Sequence, residues 1–162
     1  MDLRRAQSLP RSQHDGTVVL SVGRPVPEKG FDVLEAAARD AGVKLETVTG
    51  GLSENELAQR YVNADVFALL SRHEPWGVVV NEAAASSLPL VLSDRVGAAY
   101  DLLDAGENGF LVPAEDVGAA AEALRRLAGP ELRRRMGERS RELVRAWNYD
   151  ASVEAFLEAT SR

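Results

Sequence analysis

The 162-residue chain contains no cysteine. Disulfides, thiolate zinc sites and cysteine nucleophiles are thereby excluded. No apolar run approaches the ~18 residues of a membrane span. The opening stretch, MDLRRAQSLPRSQHDG, carries charge but lacks the apolar segment of a secretory signal. Positive charge is in the minority, with 19 Lys and Arg against 25 Asp and Glu and a formal charge of −6. That balance disfavours broad binding to nucleic acid or an anionic membrane, yet leaves room for a local anion pocket. GxGxxG and P-loop patterns are missing, which removes two common nucleotide-binding modes. An Asp-x-Asp pair that would clamp a metal is missing too. These absences point to a soluble, cytoplasmic protein, or an excised piece of one.

What is present is ordinary globular material, 45% hydrophobic and 27% charged. The length predicts one domain that buries roughly 70% of its unfolded surface. Residues 1–16 are polar, with Pro10 and Gly16, and are expected to form a linker-like arm. Residues 17–162 are expected to form the domain, in which strand and helix patterns alternate. TVVLSVG, VKLETVTGG, DVFALLS, LPLVLSD and GFLVP predict five strands. Between them lie helix patterns in KGFDVLEAAARDAG, LSENELAQRYVNA, GVVVNEAAASS and GAAYDLLDAG. Gly42 closes the first, and Ser53 with Glu56 opens the second as a capping box. DVGAAAEALRRLAG, PELRRRMGERSRELVRAW and YDASVEAFLEATSR predict a helical C-terminus, the last begun by Asp150. The fold class is therefore α/β: a Rossmann-like, doubly wound domain with a mostly parallel sheet and helices on both faces. The basic RRLAGPELRRR stretch, interleaved with acids, reads as a solvated helical face. Trp147, Tyr149 and Phe156 are expected to pack the terminal helices on the sheet.

In such a sheet, ligands sit beyond the carboxyl ends of the strands. The first turn there, SVGRPVPEKGF, carries Gly23, Arg24, Lys29 and Gly30. Two cations beside a helix N-terminus favour an anion, and glycine permits close backbone approach. The other conspicuous turn is SRHEPWG, which leads into the apolar helix VVVNEAAA. Two helix N-termini with Arg24 and Lys29 could hold a diphosphate without metal. Each of these charges, taken alone, is also compatible with an ordinary surface position. Glu74 and Glu82 lie eight residues apart, ~12 Å along a helix. An acid/base pair of a glycosidase needs about 5 to 9.5 Å. The two glutamates therefore fit better as separate acceptors for hydroxyl-bearing groups, Glu74 for a sugar and Glu82 for a ribose diol. Trp76 either lines that pocket or plugs the core. His73 and His14 read as polar surface.

The stretches SVGRPVPEKGFDVLEAA, SRHEPWGVVVNEAAASSLPLVLSDRVGAAYDLL and ENGFLVPAED resemble the C-terminal, donor-binding lobe of retaining glycosyltransferases with the two-lobed GT-B fold. The close match is to the group 1, mannosyltransferase-like and sucrose-synthase-like enzymes. Their Glu-x7-Glu marker is present as Glu74 to Glu82, and their Arg and Lys after the first strand as Arg24 and Lys29. The resemblance implies that Arg24 and Lys29 neutralise the diphosphate of a nucleoside-diphosphate sugar as it leaves. Glu74 would contact the donor sugar, and Glu82 would bind the ribose. The backbone around Gly23, Trp76, Gly77 and Val78 would face the sugar and diphosphate. No metal or other cofactor is implied. The acceptor would belong to an N-terminal lobe, on the same parent chain or another, so this chain alone is expected to transfer weakly or not at all. Against the family pattern, one strand–helix unit is missing between Leu34 and Asp65. Ser87 stands where a glycine is common, and Gly97, Ala98 and Ala99 stand where paired glycines are common. A stand-alone binding module, an inactive relic and a sugar-nucleotide epimerase are the competing readings.

Overall fold

The computed structural model of the protein describes residues 9–146. Five strands, β1 (Val18–Val22), β2 (Lys44–Val48), β3 (Val66–Leu69), β4 (Leu90–Ser93) and β5 (Gly109–Val112), form one sheet of order β2-β1-β3-β4-β5. Every pairing is parallel, with Val19 opposite Val66, Phe67 opposite Leu90 and Leu90 opposite Gly109. Among the described residues there are six α-helices, four between strands and two after β5: α1 (Phe31–Ala41), α2 (Glu54–Asn63), α3 (Val78–Ala85), α4 (Ala99–Leu102), α5 (Val117–Arg126) and α6 (Pro130–Ala146). A single 3-10 turn, Pro27–Lys29, precedes α1.

The strands read as continuous apolar runs because successive side chains enter opposite layers. Val19, Val66, Ala68 and Val91 face the layer of α1 and α5, where Leu34, Ala37, Ala121 and Leu124 close the core. Leu20, Phe67, Leu69, Leu90 and Leu92 face the other layer, where Tyr61, Val80, Ala83 and Leu102 come from α2, α3 and α4. Edge strand β2 is only half-buried, and it alternates charge with Leu45 and Val48.

Local chemistry sets the element ends. Ser53 accepts from the Glu56 N–H while Glu56 accepts from the Ser53 N–H, which is the expected capping box. The helix pattern expected over GAAYDLLDAG shortens to the four residues of α4. The cause is buried Asn108, whose amide donates to Leu102 O at 2.9 Å while its carbonyl accepts from the Asp104 N–H at 2.7 Å. Ser87 has φ 60°, a left-handed conformation that strains a non-glycine residue. It is held there by close packing, since a Cβ added to Gly137 of α6 would lie 2.0 Å from Ser87 O.

One expectation fails on α6. Arg134 and Arg139 pair with neighbouring acids on a solvated face. Arg133 instead turns inward, bonding Thr17 Oγ1 at 3.1 Å and Leu127 O at 2.9 Å, with Asp65 at 3.5 Å. Arm residues 9–16 form no regular element. They are fastened to α2 and Asp65 by Arg11–Asp65 (2.5 Å), Gln59 to Pro10 O (2.9 Å) and His14 to Asn63 O (2.9 Å). Among the described residues no helix is long and apolar enough to cross a membrane. Trp147, Tyr149, Phe156 and the helix expected after Asp150 lie outside the described residues.

Candidate functional site

The chain leaves β1 towards β2 on one side and returns to β3 on the other, so the strand order reverses between β1 and β3. A crevice opens at the carboxyl ends of strands at such a point. The two turns singled out in the sequence both arrive here, one from β1 and one from β3.

Lys29, at the end of the 3-10 turn, reaches across and donates from Nζ to Glu74 Oε2. Both side chains are largely enclosed, 16% and 14% exposed. The lysine stem lies over Gly23, where an added Cβ would meet Lys29 Cδ at 3.3 Å. A side chain at this position would make the lysine stem shift by a few tenths of an ångström. Arg24, the next residue, is exposed, and its side chain has no hydrogen bond or ion pair among the described residues.

Glu74 is fixed by its backbone as well. Its N–H donates to Arg95 O at 3.0 Å, and its carbonyl accepts from Gly97 at 2.9 Å. Trp76 O accepts from Ala98 at 2.8 Å. The 74–76 segment therefore pairs with the turn after β4. A Cβ at Gly97 would stand 2.0 Å from Pro75 O, so the close approach falls on this one glycine. Ala98 and Ala99, where the family pattern has glycine, are buried in the core. Gly77 has φ 96° and caps α3. Val78 opens the helix with 66% exposure. No hydrogen bond among the described residues uses the N–H groups of Gly77, Val78 or Val79. Trp76 is half-buried against the core, and its indole donates to Asn81 Oδ1 at 3.1 Å.

Glu82, one turn into α3, takes a different partner. Tyr61 Oη of α2 donates to Glu82 Oε2 at 2.9 Å. Tyr61 is fully buried. Burial first, then the Glu82 charge, holds its proton far above the ordinary phenol range, so it remains a donor. The structure thus brings Lys29, Glu74 and Gly23 together, sets Arg24 beside them and gives Glu82 a separate anchor.

Two contributors escaped the sequence reading. Tyr61 sits in the apolar pattern of an amphipathic helix and was not singled out. Arg72 was not singled out either, although its place two residues before Glu74 was a signal. Its guanidinium bonds both oxygens of Asp32 at 2.9 and 2.7 Å, pairs with Glu115 and reaches Pro27 O at 2.5 Å. Its N–H donates to Glu28 O at 2.7 Å. Arg72 therefore ties the turn that carries Lys29 to the segment that carries Glu74. Among the described residues no cluster of three or more His, Asp or Glu side chains could hold a metal ion.

Comparison with known proteins gives this geometry a context. The sequence profile of the family described as Glycosyl transferases group 1 matches residues 45–143. The lipopolysaccharide core biosynthesis glycosyltransferase LpsE of Rhizobium meliloti (strain 1021) is 33% identical over 169 aligned residues, spanning 89% of this chain and 49% of that protein. A GDP-mannose-dependent alpha-mannosyltransferase of Mycobacterium tuberculosis (strain CDC 1551 / Oshkosh) is 31% identical, spanning 82% and 40%. Among solved structures, sucrose-phosphate synthase from Thermosynechococcus elongatus superposes with a TM-score of 0.75 at 28% identity, over 99% of this chain and 48% of that one. The chain thus spans about half or less of the length of these relatives.

Proposed function

The chain belongs to the group 1 glycosyltransferases, and from that premise we propose that it is the donor-binding lobe of a retaining enzyme using a nucleoside-diphosphate sugar. The observation that carries this reading is the meeting of Lys29 and Glu74 at the strand-order reversal. A cation and a carboxylate in contact provide, side by side, an anchor for a phosphate and an acceptor for sugar hydroxyls. Glu82, eight residues on and one turn into α3, is the residue we assign to the ribose.

In the proposed reaction, the bond between the anomeric carbon and the diphosphate oxygen breaks, a bond from that carbon to an acceptor hydroxyl oxygen forms on the same face, and the hydroxyl proton leaves with the diphosphate. The charge that develops on the diphosphate is met by Arg24, Lys29 and the N-terminus of α3 around Trp76, Gly77 and Val78. Preorganised positive charge of this kind supplies leaving-group stabilisation from the protein itself, so the step we propose uses no metal. Gly23 lets the Lys29 stem cross close to the backbone. Glu74 accepts from the donor sugar, and its contact with Lys29 offsets the repulsion a bare carboxylate would exert on the diphosphate. We place the acceptor on a second lobe, which agrees with the share of its relatives that this chain spans. Alone, the chain is expected to bind donor and to transfer weakly or not at all.

Calorimetric titration with UDP, GDP and ADP and their sugars tests this, using the chain and its Arg24→Ala/Lys29→Ala variant. Binding should require the diphosphate and weaken by about tenfold or more in the variant, since charge-assisted hydrogen bonds are worth about 1.5–3 kcal/mol each. Equal binding by both proteins would remove Arg24 and Lys29 from the site.

A further inference from the structure

We propose that Tyr61 is a positioning residue that holds the Glu82 carboxylate for the ribose and so sets the preference for ribonucleotide over deoxyribonucleotide donors. This rests on the ribose role of Glu82 proposed above. Tyr61 is 0% exposed, and its hydroxyl lies 2.9 Å from Glu82 Oε2 and 3.5 Å from Val79 O. The ring is locked among Leu20, Phe67, Val80 and Ala83, with its centroid 6.1 Å from that of Phe67. A phenol so enclosed has no other rotamer to adopt, so its hydroxyl is a fixed point in the core.

That fixed point matters because of what a carboxylate can do. Ionised, it only accepts hydrogen bonds. A ribose diol offers two donors in a set geometry. To take both, the carboxylate plane must stand in one orientation, and a glutamate side chain has three rotatable bonds. The Tyr61 bond, on Oε2, restricts that freedom before the ligand arrives. The donor comes from α2 and the acceptor from α3, so the orientation is set by the packing of two helices on one sheet face. Loss of the hydroxyl would leave Glu82 in place with its orientation less restricted. The cost would fall on ligands that present the diol.

The test compares affinities of UDP, GDP and ADP with those of their 2′,3′-dideoxy counterparts, in the wild-type chain, Tyr61→Phe and Glu82→Ala. The ratio of the two affinities is read within each protein, so a reduced folded fraction cancels. Tyr61→Phe keeps the packed ring and removes only the hydroxyl. The ribo-to-dideoxy ratio is expected to collapse in Glu82→Ala and to fall about five- to tenfold in Tyr61→Phe, with dideoxy affinity unchanged. An equal loss for both ligands in Tyr61→Phe would mark Tyr61 as structural and overturn the proposal. A ratio that collapses in Glu82→Ala yet stays intact in Tyr61→Phe would also overturn it, while leaving the ribose role of Glu82 standing. A full ratio in Glu82→Ala, or no preference for the ribonucleotides in wild type, would bring down the ribose reading and this proposal together.

Discussion

Lys29 and Glu74 should be energetically coupled, and the size of the coupling follows from their enclosure. Exposed ion pairs contribute about 0.2–1 kcal/mol. Removing one partner of a fully buried pair costs about 3–5 kcal/mol, because the other charge is left without compensation. At 16% and 14% exposure this pair lies between those limits, and we expect a coupling of about 2–3 kcal/mol. The suitable variants are Lys29→Met, which keeps a stem over Gly23, and Glu74→Gln, which keeps the shape and loses the charge. For a chain of this length each kcal/mol shifts Tm by about 2–4 °C. Lys29→Met should therefore lower Tm by about 4–12 °C. The double variant should recover at least half of that loss. A double-mutant cycle by thermal and urea denaturation measures the coupling directly. Single effects that add without interaction would refute the reasoning, and with it the view that the two turns are held together by charge. Binding gives an independent sign. Glu74→Gln frees the ammonium for an anion, so it should strengthen binding of a nucleoside diphosphate while weakening any gain from the attached sugar.

Two further outcomes follow from neighbouring contacts. Gly97→Ala should cost about 1–3 kcal/mol by overpacking, because its Cβ would meet the carbonyl of Pro75 at 2.0 Å, where backbone cannot yield. In urea denaturation an unchanged midpoint would show that the 74–76 segment is looser than the hydrogen bonds suggest. The hydrogen bond from Arg72 holds Asp32 below its ordinary value of 3.8. That contribution is present above pH 3.8 and is lost as pH falls through the lower, folded-state value. Asp32 is mostly exposed, so the effect is small and salt-sensitive. The Tm difference between wild type and Arg72→Gln should stay level at neutral pH and shrink in acid, and a difference undiminished in acid would contradict it.

The fold was legible where one residue type dominates a run. β1, β3 and β4 are buried on both faces, so their sequences show no polar interruption long enough to confuse them with loops. Helix α3 was legible against propensity. Its three valines are poor helix formers, but the turn at Gly77 starts the helix and Val80, Ala83 and Ala84 bury its face. Tertiary burial outweighs a few tenths of a kcal/mol per residue. The end of α4 was not legible. It depends on an Asn108 side chain that looks like any polar loop residue until the chain folds it inside. The same holds for Arg133, whose inward turn follows from the position of α6 beside Asp65 and not from the charges around it.

At the site, legibility divides by how far each residue departs from its local sequence pattern. Lys29 and Glu74 stood out because each is out of place locally, a cation beside a glycine-rich turn and an acid before an apolar helix. Tyr61 and Arg72 are unremarkable locally and acquire roles only through partners 21 and about 40 residues away. Geometry is also needed to choose between the two ends of the sheet. Each end has a cleft of about 620 Å³, one lined by Arg11, His14, Asp65 and Arg133 and the other, which Lys29 and Glu74 do not line, by Pro25, Phe31, Thr47 and Arg72. The first is the more charged, yet its central acid is already satisfied. Asp65 is 5% exposed, accepts from the Val18 N–H at 2.8 Å and pairs with Arg11 and Arg133. In a parallel α/β sheet the helices present their negative ends on that side, which opposes an anion. At the carboxyl end the helix N-termini converge, Arg24 stands exposed and Lys29 is shared with one carboxylate. The amino-end cluster is therefore a clasp for the arm. The carboxyl-end cluster keeps positive charge available, as the proposed diphosphate would require.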